Sequence, residues 1–272
     1  MLQENFISFQ RFRYAKWALA LVVLVVTLYA ADSAPQKPGG GTLLGYGLGT
    51  LGALLIGFLL ALGMRKRAYR SQLGSVRGWL SAHVYLGLAL AAVATLHCAF
   101  EFGPNVHTLA YGLTIAVIVS GIWGVVLYLR HPALMGNLLD GRTLMQHAQE
   151  LREIDARCAM LALGLAPNIG TLVAESAATA VFASFWQRLG GQNRRCATTA
   201  VLAQLRALND QANAAGNEIL TLQFRRLQQL KRIRQFVRLR TLTELWLLCH
   251  VPMSIALLMA LTAHIIAVFF YW

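Results

Sequence analysis

Uninterrupted apolar blocks, each long enough to cross a bilayer, constrain this chain more than any other feature. A spanning helix takes about 20 apolar residues. Five segments qualify, over residues 14–32, 42–64, 79–101, 107–129 and 245–271. Charged residues make up only 13% of the 272, against about 25% in soluble globular chains. A soluble enzyme and a disordered chain are excluded together. The four cysteines are scattered and form no CxxC or CxxCH, which excludes a zinc ribbon, a thioredoxin motif and covalent c-type haem attachment. The expected fold is an all-α integral membrane protein.

The first block follows basic residues and precedes Ala30, Ala31, Ser33 and Ala34, as a secretory signal would. We take it as a retained span. Loop charges then orient the bundle. Arg11, Arg13 and Lys16 lie at the N-terminal side, and Arg65, Lys66, Arg67, Arg70 and Arg77 lie between spans two and three. The loop with Pro35 and Pro38 has only Asp32 and Lys37, and the turn after span three has Glu101 and no basic residue. Basic loops stay in the cytoplasm, so the N-terminus is expected inside and the C-terminus outside. Spans three and five then run parallel.

The chain divides by this reading into spans one to four (1–130), a cytoplasmic helical insert (131–243) and span five (244–272). Apolar spacing of three and four predicts insert helices over 142–163, 168–188, 194–209 and 217–243, with breaks at Pro167-Asn168, Gly190-Gly191 and Gly216-Asn217. The last carries Leu220, Phe224, Leu227, Leu230, Ile233 and Val237 on one side, among Arg225, Arg226, Lys231, Arg232, Arg234, Arg238 and Arg240. No breaker separates it from span five, so the two are expected to form one helix. The net charge of +13 reads as a basic face beside anionic lipid headgroups rather than a nucleic-acid surface.

Four of the seven histidines lie within two spans: His83 and His97 in span three, His250 and His264 in span five. Each pair is fourteen residues apart, which places both rings on nearly one helix face about 21 Å apart along the axis. A single imidazole in a bilayer serves as an interhelical hydrogen bond. Two pairs of one spacing on parallel helices ask for more, because ionisable residues are costly there. His83 is expected to meet His250, and His97 to meet His264, each pair clamping one haem iron. Zinc is disfavoured because only two His are expected at each level, with no carboxylate to complete a site. Gly87, Ser254, Ala94 and Ala260 leave room for a flat cofactor. Pro252 can bend span five. Cys98 and Cys249 adjoin ligand positions, cannot pair, and read as buried fillers.

This pattern of His83, His97, His250 and His264 resembles the dihaem core of the cytochrome b superfamily, and ferric-reductase-type membrane proteins have similar stacked haems. The resemblance covers spans three to five. It implies two b-type haems, axial ligation by those four histidines, and electron transfer between a quinone pool and a redox partner such as a c-type cytochrome or iron–sulfur protein, in a bacterial-type inner membrane. The large insert and the absence of a Pro-Glu-Trp-Tyr motif depart from respiratory cytochromes b. Quinone-site candidates are Glu101, His107 and Tyr111 on the outer side, and Tyr128, Arg130 and His131 on the inner. Arg77 is a candidate to neutralise a propionate. A quinol-driven reductase of ferric iron or oxygen species, and a haem-bearing membrane anchor, are the rival readings.

Overall fold

The computed structural model describes residues 5–32, 40–68, 72–178, 185–190, 197–208 and 214–270. The expectations resting on Ser33, Ala34, Pro35, Lys37, Pro38, Arg70 and Gly191, on residues 179–184 of the 168–188 helix and on the two ends of the 194–209 helix lie outside them. The described residues are helical, without a strand: α1 (Phe9–Ala31), α2 (Leu43–Arg67), α3 (Val76–His97), α4 (Val106–Leu139), α5 (Leu144–Ala162), α6 (Pro167–Ala177), α7 (Phe185–Gly190), α8 (Ala197–Leu208) and α9 (Ala214–Phe270). Five stretches, in α1 to α4 and α9, are long and apolar enough to cross a membrane, as expected of a multi-pass membrane protein.

Local chemistry sets the ends. Thr42 and Ser75 accept from the backbone N–H of Gly45 (3.0 Å) and Gly78 (3.1 Å), capping α2 and α3. Asn105 Oδ1 does the same for Thr108 at the start of α4 (2.9 Å). Arg65, Lys66 and Arg67 occupy the last turn of α2, where cations suit the helix dipole. Arg65 also donates to the carbonyls of Ala68 and Gly74, tying down the turn into α3. α3 stops at His97, short of the expected 101, because Ala99 and Phe100 adopt left-handed backbone (φ 48° and 61°) and turn the chain. α4 continues through Pro132 to Leu139. α9 is one helix of 57 residues, through Pro252.

The chain forms two compact units, residues 1–126 with 246–272, and residues 127–245. The core of the first is Val25, Leu48, Leu55, Ile56, Leu90, Val93 and Leu257, from α1, α2, α3 and α9. Gly52 of α2 faces Leu90 and Val93 of α3, which an added Cβ would meet in ordinary contact at 3.8 Å.

The second unit packs Ile154, Cys158, Ala162, Val173, Val201, Leu205 and Ile219 together. The face that α9 buries here is Ile219, Gln223, Arg226, Leu230 and Ile233. Leu230 and Ile233 belong to the stripe expected from sequence, whereas Ile219, Gln223 and Arg226 each precede an expected position by one. Phe224 lies at the surface under the Arg206 guanidinium. Arg226 departs from the expected solvated basic face. It is 1% exposed, donates to Asp155 (2.6 Å) and Thr198 (2.7 Å), and reaches the Ala177 carbonyl. Beside it, Glu150 binds Arg225, Arg142 and Gln229. Burial opposes the Glu150 charge, but these donors outweigh it and hold the carboxyl below the usual glutamate range. Burial pushes the Cys158 thiol up to about 11, so it packs as an apolar group.

Removing Asp155 leaves Arg226 as a buried, unpaired cation, which costs about 3–5 kcal/mol. Asp155→Ala is expected to make residues 127–245 far more susceptible to protease in detergent, whereas Arg157→Ala, at an exposed pair, should change little. Equal susceptibility of both variants would refute the role of this pair.

Candidate metal centres

The histidines of α3 are held by the backbone of α2. His83 Nδ1 donates to the Leu59 carbonyl (3.1 Å), and His97 Nδ1 donates to the Gly45 carbonyl (2.8 Å). A carbonyl only accepts, so each Nδ1 carries the proton and each neutral ring keeps a lone pair on Nε2. Gly45 and Leu59 are fourteen positions apart, like His83 and His97. Antiparallel helices of equal rise bring both pairs into register. A helix carbonyl has a second lone pair for such a bond.

The His97 contact demands glycine. A Cβ on Gly49 would fall 2.7 Å from His97 Cε1 and 3.1 Å from its Nδ1. The ring therefore lies directly on the α2 backbone.

At the His97 level three imidazoles converge. His107, one residue into α4, places Nδ1 3.4 Å from His264 Nε2. Ring centres are 5.0 Å apart for His97 and His107, 4.7 Å for His107 and His264, and 6.2 Å for His97 and His264. One ligand nitrogen from each lies within 4.8 Å of the others. Gly40 borders the group, since its Cβ would stand 3.7 Å from His97 Cε1 and 3.8 Å from His107 Cε1. The exclusion of zinc rested on two His per level, and at this level that premise fails.

The second level is built differently. His250 Nδ1 lies 3.2 Å from Ser120 Oγ on α4. The Ser120 carbonyl accepts from Trp246 Nε1 (2.8 Å), and Trp246 stacks on His250 with ring centres 5.3 Å apart. Gly124 makes room for that indole, because a Cβ there would fall 2.0 Å from Trp246 Cζ2. Two turns after His83 and His250, on nearly the same helix faces, Leu90 and Leu257 share one core cluster, and Lys66 lies two turns beyond Leu59 on α2.

The other expected residues take humbler places. Arg77 is exposed in the first turn of α3. Gly87 packs against Leu59, to which its Cβ would stand 3.9 Å. Ser254 donates to the His250 carbonyl one turn back (2.8 Å). Tyr111 hydroxyl lies 3.2 Å from Thr95 Oγ1, Glu101 is exposed, and Tyr128 and Arg130 are exposed. His131 is buried on Thr243 (2.8 Å). Cys98 is buried as expected, but Cys249 is exposed, because the position before His250 points about 100° away from it.

Sequence reading missed Gly45, Gly49, Leu59, Ser120, Trp246 and Lys66. Its one available signal was the glycine run of α2 facing a histidine-bearing helix. No family model, curated protein or solved structure matches the chain.

Gly49→Ala should push His97 off the Gly45 carbonyl and leave His83 in place. Nitrogen-15 NMR of histidine-labelled protein should then lose one protonated-Nδ1 imidazole signal. Gly57→Ala, where a Cβ meets nothing within 4 Å, should lose none. An unchanged His97 signal in Gly49→Ala would contradict the close approach.

Proposed function

We propose that the chain is a dihaem b-type cytochrome that carries electrons across a membrane between a quinone pool and a redox partner, as a subunit of a respiratory-type complex. The observation that carries this reading is the pair of histidine levels: two rings on α3, held fourteen residues apart with Nδ1 bound and Nε2 free, that of His97 beside His264 on α9, and His83 and His250 each two turns before Leu90 and Leu257, which share one core. Metal-binding imidazoles are typically fixed through their other nitrogen in this way.

The imidazole donors suit the group at both levels, and at the His97 level their spacing suits it on one condition. At the His83 level, His83 and His250 would hold the group, Lys66 would offset its acidic substituents, and Trp246 would brace His250. At the His97 level, two imidazoles facing one another across a shared ion, at about 2 Å per bond, have ring centres roughly 6 Å apart, and His97 and His264 stand at 6.2 Å. The condition is that His107, half-buried, turns aside. A haem at each level supplies one-electron chemistry at two depths of an insulating bilayer. The protein's part is to fix the ring tautomers, exclude water with the Leu90 and Val93 core, and set the separation.

The sidedness that goes with this reading puts residues 127–245 in the cytoplasm and the His97 level toward the periplasm of a bacterial-type inner membrane. The basic residues Arg65, Lys66 and Arg67 at the His83 end support it. A c-type cytochrome or iron–sulfur protein would then be the partner at the His97 side.

The full chain, purified in detergent, should contain two haems, both extractable by acid acetone because no CxxCH exists. They should be reducible by a quinol, and a reporter fused after Trp272 should be periplasmic. One haem or none per chain would refute the dihaem reading, and a cytoplasmic reporter would reverse the two faces.

A further inference from the structure

The His97 level holds one imidazole more than a bis-imidazole clamp uses. His107 is 5.0 Å from His97 and 4.7 Å from His264, centre to centre. Near-equal distances put His107 in the plane that bisects the line joining the other two rings. A macrocycle clamped between His97 and His264 would occupy that same plane. The His107 ring also stands closer to the midpoint of that line than to either ring. His107 in its present rotamer and a haem at this level therefore exclude each other.

In that rotamer the donor set suits something else. His97 offers Nε2, because its Nδ1 proton is given to Gly45. His107 Nδ1 and His264 Nε2 face each other at 3.4 Å. Two imidazole nitrogens each about 2.0–2.1 Å from a tetrahedral ion stand about 3.3–3.4 Å apart. His97 brings its nitrogen within 4.8 Å of both others, so a small rotation completes the set. Three neutral imidazoles without a carboxylate select borderline divalent d-block ions and reject calcium and magnesium. Water would take the fourth position.

We propose that His97, His107 and His264 form a binding site for one divalent d-block cation of the zinc class, exclusive with haem at the same level. The site's exclusivity rests on the haem reading; its cation binding does not. With the cation bound, His107 is locked inward and the chain carries a single haem, at the His83 level. Cation occupancy thus interrupts electron transfer across the bilayer.

The test uses cobalt(II), whose visible spectrum reports tetrahedral coordination, added to the full chain made under haem limitation and purified in detergent. One cobalt per chain should bind and be displaced by zinc. His107→Ala and His107→Gln should weaken binding by more than about 100-fold, since even outer-shell partners are worth 10- to 100-fold. Both variants should still take up two haems when haem is plentiful. His97→Ala should lose cobalt and one haem; His83→Ala should keep cobalt. Protein loaded with two haems should bind none. Absence of cobalt binding in chain that retains the His83-level haem, or binding unaffected by either His107 variant, would overturn the site. Cobalt binding to fully haem-loaded protein would overturn the exclusivity. If cobalt bound as expected but no preparation ever took a second haem, the cation site would stand and the dihaem reading would fall.

Discussion

The histidine levels depend on one kind of contact, an imidazole Nδ1–H given to a backbone carbonyl of a neighbouring helix. A bilayer offers no water to an imidazole, so a ring without a partner there is costly. On α3 both rings solve this the same way, on Gly45 and Leu59. The solution has three consequences. It fixes the tautomer, it leaves Nε2 free to bind, and it locks the axial register of α2 against α3. The tight capping at Thr42 and Ser75 and the Arg65 staple hold the same two helices at their ends. The glycine at position 49 is the steric counterpart of the bond at position 45.

The levels differ in how they treat the opposing histidine. His250 is braced by Ser120 and the Trp246 indole. His264 meets another imidazole, His107. That contact can be replaced by an ion or opened by a change of rotamer. In the proposed reading, one end of the electron path is a fixed clamp and the other a site that takes either a haem or a cation.

The sequence made the spans legible because apolar length and flanking charge are local properties. It also showed the continuity of α9 from Asn217 to Phe270, where only Pro252 could break the helix and its missing hydrogen bond is tolerated; the break expected at Gly216-Asn217 is absent, because α9 already begins at Ala214. The spacing of His83, His97, His250 and His264 was readable for the same reason. What escaped was long-range. Arg226 looked like one of many surface cations, and only the fold brings Asp155 to it. The carbonyls of Gly45 and Leu59 belong to the backbone and leave no mark on residue identity. The place of His107 depends on the left-handed turn at Ala99 and Phe100, which ends α3 at His97 and sets how deep α4 begins.

The most direct measurement is low-temperature EPR with redox-titrated absorption on the four single variants His83→Ala, His97→Ala, His250→Ala and His264→Ala. The expected result is that His83→Ala and His250→Ala remove one haem signal and His97→Ala and His264→Ala remove the other. Loss of the same signal from His83→Ala and His97→Ala, or no haem signal in the unaltered protein, would contradict two histidine-clamped centres at separate depths.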